Sequence, residues 1–333
     1  QPPPHAPRES RSYGDESSDA EASAWLNRLG ADSSLAAEAV ALAETHCSKA
    51  EPDVVWLMVI GLGLWQLERY DEAEQWLQRL DPASVKDPGF FALQGMVLRR
   101  CPGGEERALQ AYHQALQLDP YRADVLFNIG NLLKEQHPEQ AIPYYKRSLA
   151  LNADGPGVWH NYGLALNDAG EGFNALNALK ICLRLDPSDA DAWCNAGLAF
   201  FGLERFEEAK RCFRHAITLD GSHASSHVNF GQVLVETLEP EQALSHLRLG
   251  LSLDSSSSNS LWNLSLALLL LGHYKEGWNY YEARFATKQF EKQLVPTPQA
   301  LPRQLSALPS AGQPALIVWR AQGLGDGLQF SRY

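Results

Sequence analysis

Trp193-Cys194-Asn195-Ala196-Gly197, preceded by Pro187 and followed by Ala209, Phe213 and Ala216, is the stretch on which the fold turns. Its glycine is one of a series. A small residue behind an aromatic or apolar position recurs at Gly61, Gly95, Gly130, Gly163, Gly197, Gly231 and Ser265, at spacings of 33 to 35 residues. Glycine inside a helix costs about 1 kcal/mol relative to alanine, so its recurrence at one register needs a packing reason. That reason is a close helix crossing, where any larger side chain would push two axes apart.

Two further series share the period. About twelve residues after each small position comes another, at Ala73, Ala108, Ala141, Ala175, Ala209, Ala243 and Gly277. Four residues later a bulky side chain follows, at Leu77, Tyr112, Tyr145, Leu179, Phe213, Leu247 and Tyr281. A spacing of four places both on one face of a second helix. Most units close on a breaker: Asp81-Pro82, Asp119-Pro120, Asp186-Pro187, Asp220-Gly221 and Asp254-Ser255. Each period therefore reads as two antiparallel helices and a turn, and such a hairpin cannot bury its apolar face alone. Neighbours must stack, so stability is shared between adjacent units.

The blocks around Gly197 and the matching Trp159-His160-Asn161-Tyr162-Gly163 with Ala175 resemble the tetratricopeptide repeat. The resemblance covers residues 54 to 287 in seven units and departs from the pattern where Ser265 and Gly277 exchange the usual small residues. It implies an all-α, right-handed helical-hairpin solenoid whose concave surface, lined by the first helix of each pair, binds protein or peptide. A degenerate hairpin is expected over residues 24 to 53, with Trp25 to Leu29 in its first helix and Ser34 to Cys47 in its second. Residues 1 to 23, rich in Pro, Ser and charge with Tyr13 the single aromatic, read as disordered, and residues 288 to 314, with five prolines, as a linker.

Charge narrows the partners. The net charge of -12 resides between residues 24 and 274, which hold 19 basic against 31 acidic residues. Nucleic acid and anionic membrane are therefore unexpected, because phosphate neutralisation needs a stripe of Lys and Arg. The longest apolar run, Leu264 to Leu271, is far too short to span a bilayer. Five cysteines, without a C-x-x-C pair and odd in number, point to a reducing, cytoplasmic setting.

An asparagine stands two residues before the small position in five consecutive units: Asn128, Asn161, Asn195, Asn229 and Asn263. Equal register predicts five amides on one face. An amide both donates and accepts, so the set can pair with the backbone of an extended peptide whatever its side chains. The alternative is that each bonds within or between helices, the commoner fate of Asn. The array resembles that of O-linked N-acetylglucosamine transferase, and the resemblance implies that these five hold peptide. Phe127, His160, Cys194, Val228 and Trp262 flank them, with Asn131 and Gln232 further along, and this set lacks the cations a carboxylate clamp would need.

Two further motifs carry chemical readings. His223 and His227 have the i, i+4 spacing of a metal pair, but His227 takes the unit position of Trp159 and Trp193, so packing is expected and no metal site is assigned. Trp65, Trp76, Trp159 and Trp193 are expected in the core. In the tail, Ala315 to Arg320 reads as a strand, and Gly323-Leu324-Gly325-Asp326-Gly327 as either a phosphate-binding loop or a plain tight turn. Residues 275 to 333 resemble bacterial proteins in which a tetratricopeptide array leads into a heptosyltransferase-like glycosyltransferase domain. That resemblance implies a truncated Rossmann-like start over residues 315 to 333, with a nucleotide sugar as the donor of the full-length protein. The fragment itself is expected to need no cofactor and to catalyse nothing, and a pure assembly scaffold is the alternative.

Overall fold

The computed structural model describes residues 13–48, 53–255, 257–281 and 283. Among them the regular structure is helical. In chain order the helices are α1 (Tyr13–Ala31), α2 (Ala36–Cys47), α3 (Val54–Gln66), α4 (Tyr70–Leu77), α5 (Pro88–Leu98), α6 (Glu105–Leu118), α7 (Ala123–Leu133), α8 (Pro138–Leu151), α9 (Pro156–Asp168), α10 (Gly172–Leu185), α11 (Ala190–Gly202), α12 (Phe206–Leu219), α13 (Ala224–Glu236), α14 (Pro240–Leu253), α15 (Ser258–Leu270) and α16 (Tyr274–Tyr281). They form two compact units that part between Glu204 and Arg205. The first holds α1 to α11 and the second α12 to α16.

Within each unit, consecutive helices pack as antiparallel hairpins, and the recurring glycines show why. A Cβ at Gly130 would lie 2.6 Å from Cε1 of Tyr145, and one at Gly163 2.6 Å from Cγ of Leu179. In the second unit a Cβ at Gly231 would lie 2.5 Å from Cγ of Leu247. In these hairpins the bulky residue of the second helix is thus laid directly on the glycine of the first. The alanines four residues before it, Ala141, Ala175 and Ala243, are wholly buried. One period-34 pattern therefore encodes a knob, its socket and the small residue beside it.

The turns are built as regularly. Inside the hairpins the chain reverses through a left-handed residue: Glu68 (φ 59), Gly170 (φ 77), Leu238 (φ 59) and Gly272 (φ 79). The amide after it reaches five residues back, as Glu171 N to Leu166 O at 2.8 Å and Glu239 N to Leu234 O at 2.8 Å. This closure satisfies the last helical carbonyls, and it recurs even where a glutamate or leucine bears the conformational cost. Between hairpins, Asp119, Asn152, Asp186 and Asp220 each accept the amide two residues on, at 2.8 to 3.0 Å. These side chains terminate the second helix and turn the chain.

At the N-terminus, residues 13 to 23 lie in α1, which begins twelve residues before the expected Trp25. Ala22, Trp25 and Leu29 are buried along one face, and Ser18 on the same face accepts the indole N–H of Trp56 at 2.8 Å. A helix with one apolar residue per turn among acids and serines has too little hydrophobic contrast to show in composition. Residues 1–12 and the expected linker and strand over 288 to 333 lie outside the described residues.

The tryptophan expectation is also refined. Trp159 and Trp193 are half-buried, and each indole donates to the carbonyl six residues back, Ala153 at 2.8 Å and Pro187 at 3.1 Å. His227 repeats the arrangement in the second unit, its Nε2 standing 3.1 Å from the Gly221 carbonyl. A ring N–H at this register clips each connector to the helix that follows it.

That clip explains the histidine. A carbonyl only accepts, so His227 carries its proton on Nε2 and presents a bare Nδ1, to which His246 Nδ1–H donates across 2.9 Å. Both nitrogens of His227 are engaged, and its expected packing role holds. Burial, together with the charge His227 would carry, pushes the His246 pKa below its ordinary 6.5. A lowered folded value means that the unfolded chain binds more protons as pH falls below about 6.5, so stability is lost there. Thermal melting of the second unit should fall between pH 7.5 and pH 5, and the fall should be smaller in His246→Gln. Equal pH dependence in the two proteins would refute this assignment.

Candidate functional site

Asn128, Asn161 and Asn195 occupy equivalent positions on α7, α9 and α11 of the first unit, and all three are half-buried. Their surroundings differ, which the equal register did not foretell. Lys134, at the end of α7, extends from one hairpin to the next and donates from Nζ to Asn161 Oδ1 at 2.7 Å. Burial lowers the pKa of this ammonium. A lysine therefore touches the asparagine series, correcting the expectation of a cation-free surround. It escaped notice because it stands six residues beyond Asn128 and meets the asparagine of the following hairpin instead.

Asn195 faces a different partner. Its Nδ2 lies 3.2 Å from His160 Nε2, and the other ring nitrogen, Nδ1, lies 2.8 Å from Asp189 Oδ2. Asp189 is the N-cap of α11, its Oδ1 accepting the Ala192 amide at 2.8 Å, and its Oδ2 also receives the thiol of Cys182 at 3.8 Å. Burial would raise the Asp189 pKa, but the hydrogen bonds from His160 and Ala192 outweigh it and hold the carboxylate below its ordinary range. The Cys182 thiol is pushed up to about 12 by burial and by that same carboxylate.

These partners set the amide orientations. An ammonium can only donate, so Asn161 must turn its oxygen to Lys134 and leave Nδ2 as the free end. An ionised Asp189 can only accept, so neutral His160 carries its proton on Nδ1 and offers a bare Nε2, to which Asn195 donates. Asn195 is left with Oδ1 as its free end. Among the described residues of the first unit, Asn128 makes no side-chain hydrogen bond. The series in this unit thus presents an open amide, then a donor, then an acceptor.

Elsewhere the series is less uniform. Asn229 on α13 is half-buried, whereas Asn263 on α15 is only 5% exposed and offers no amide to the surface. Asn131 accepts the phenol of Tyr145 at 2.9 Å, and Cys194 and Val228 are buried. Cys194 and Val228 therefore face the interior. Lys210 on α12, 6% exposed, was not foreseen: its ammonium pairs with Glu207 at 3.0 Å and with Glu239. Burial alone would depress its pKa, but the two carboxylates raise it. Gly323, Gly325, Asp326 and Gly327 of the possible phosphate loop lie outside the described residues.

Known proteins place this architecture in a class. Residues 190–223 match the family model described as the tetratricopeptide repeat. Among solved structures, the chain is similar to PilF of Pseudomonas aeruginosa, at 20% identity and a TM-score of 0.51, over 61% of this chain and 92% of that one. It is similar to a part of a tetratricopeptide repeat-containing protein from Cytophaga hutchinsonii, at 17% identity and a TM-score of 0.54, over 74% of this chain and 99% of that one. The structure of the APC/C hetero-tetramer Cut9–Hcn1 aligns at 18% identity and a TM-score of 0.56, over 69% of this chain and 45% of that one. No curated protein matches the sequence. At these identities the likeness establishes the fold, a tetratricopeptide-type hairpin array. Among the described residues no helix is long and apolar enough to cross a membrane.

Proposed function

We propose that the chain is a peptide- or protein-binding scaffold whose first unit holds the main chain of an extended client segment on Asn128, Asn161 and Asn195. One observation carries the reading. Within that unit, Asn161 keeps a free donor and Asn195 a free acceptor, each held in place by a partner behind it. A peptide backbone offers carbonyls and amides in alternation, so amides fixed in both senses can recognise it without reading side chains. The cost of orienting the groups is met before the client arrives, which favours affinity.

The test is a peptide selected from a displayed random library on this chain, labelled and titrated by fluorescence anisotropy. Replacing Asn128, Asn161 and Asn195 together by Ala should weaken its binding at least tenfold while leaving the helical circular dichroism unchanged. Failure to select any peptide, or unchanged affinity in the folded triple variant, would overturn the reading.

The setting we propose is cytoplasmic, supported by five free cysteines, all buried as thiols. The proposal extends to a longer protein in which the array selects acceptors for a nucleotide-sugar-dependent glycosyltransferase. Its support is the sequence Gly323-Leu324-Gly325-Asp326-Gly327 behind Ala315 to Arg320. Reading the gene past Tyr333 tests it: about 200 further residues of alternating strands and helices are expected, and an immediate stop codon would refute it.

A further inference from the structure

We propose that His160, Cys182 and Asp189 form a binding site for one zinc-type divalent cation, with a fourth coordination position open to water or a ligand. The three side chains come from three elements, α9, α10 and the cap of α11, and their donor atoms all lie within 4.8 Å of one another. An imidazole nitrogen, a thiolate and a carboxylate oxygen make a set that zinc accepts and that calcium or magnesium, which prefer oxygen alone, does not. Ligand bonds of roughly 2.0 to 2.3 Å at tetrahedral angles place neighbouring donor atoms roughly 3.3 to 3.8 Å apart. The Cys182 to Asp189 separation of 3.8 Å already matches, and the His160 to Asp189 separation of 2.8 Å needs only a small opening.

The surroundings are those of a prepared site. Metal-ligating side chains are oriented by partners on their far atoms. Asp189 has its other oxygen fixed on the Ala192 amide at 2.8 Å, and His160 has its other nitrogen on Asn195 at 3.2 Å. Charge also closes: one thiolate, one carboxylate and a divalent cation sum to zero.

Binding rearranges two protons. The cation displaces the Cys182 thiol proton, which is released to solvent, and takes the Nδ1 lone pair of His160, whose proton relocates to Nε2. One proton therefore leaves per cation bound. With a proton on Nε2, His160 becomes the donor to Asn195, which must turn its oxygen inward and show Nδ2 instead. The site does not depend on the peptide reading, but it would reverse the polarity of one amide of that series.

Cobalt(II) and zinc, added to the chelator-treated full chain, test this directly. We expect one cobalt per chain, a near-ultraviolet thiolate-to-cobalt charge-transfer band, tetrahedral visible bands, their displacement by zinc, and release of one proton. Cys182→Ser should abolish the charge-transfer band, although Cys47, Cys101, Cys194 and Cys212 remain, and weaken zinc binding about 100-fold or more. Asp189→Asn keeps a capping oxygen for Ala192 and so preserves the fold, yet should weaken zinc at least tenfold. Absence of a charge-transfer band, its survival in Cys182→Ser, or unchanged zinc affinity in Asp189→Asn would each overturn the proposal. Should Cys182→Ser fail to fold, Asp189→Asn decides.

Discussion

Gly163→Leu should destabilise the first unit by about 3 kcal/mol or more, near the upper end of the penalty for overpacked cores. The Cβ alone would lie 2.6 Å from Leu179 Cγ and 2.8 Å from its Cδ2. Leu179 has nowhere to retreat, since it is wholly buried, as are Ala175 and Leu166. The added side chain must therefore separate α9 from α10 or expel Leu179. Because repeat stability is shared between neighbouring hairpins, the damage should spread through adjoining repeats rather than stay at one residue. Gly157 on the same helix provides the control. A Cβ there would meet nothing within 4 Å, so Gly157→Ala should raise stability by about 0.5 to 1 kcal/mol through helix propensity alone. Urea unfolding of the two variants beside the parent measures both effects. If Gly163→Leu proved as stable as the parent, the close crossing inferred from the period would be wrong.

The contrast between those glycines marks what a sequence can disclose. Gly163 belongs to a series, and periodic recurrence exposes a steric requirement that no single glycine could. The bulky partners at Tyr112, Tyr145, Leu179 and Leu247 were legible for the same reason, as was the place of His227 in the tryptophan register. Features that break the repeat were not. Ser18 of α1 and Lys134 are used once each, and their partners lie 27 to 38 residues away. The connection of Cys182 to Asp189 crosses a turn, and that of Asp189 to His160 crosses from one hairpin to the next. Such pairings follow from how hairpins stack, and a residue pattern read one period at a time does not contain them. The asparagines illustrate both halves: their common register was visible, but the partners that give Asn161 and Asn195 opposite orientations, and the burial of Asn263, were not.

Those orientations lead to the second large effect. In chelator, Asn161→Asp should weaken the selected peptide about 30-fold, whereas Asn195→Asp should change its affinity by no more than about threefold. At position 161 Lys134 still takes one carboxylate oxygen, but the other now replaces the free Nδ2. A donor is lost and a partly negative acceptor confronts a peptide carbonyl, a loss of about 2 kcal/mol, the range for removing a hydrogen bond and leaving its buried partner unsatisfied. At position 195 the free end is already an oxygen. The inward atom changes instead, and it stands against His160 Nε2, on the side away from the client. The client still meets an acceptor where it met one before. Equal losses in the two variants would refute the opposed orientations while leaving the asparagines as contacts, since only the triple alanine variant tests that. A larger loss for Asn195→Asp would mean that His160 carries its neutral proton on Nε2, the tautomer expected when a cation holds Nδ1.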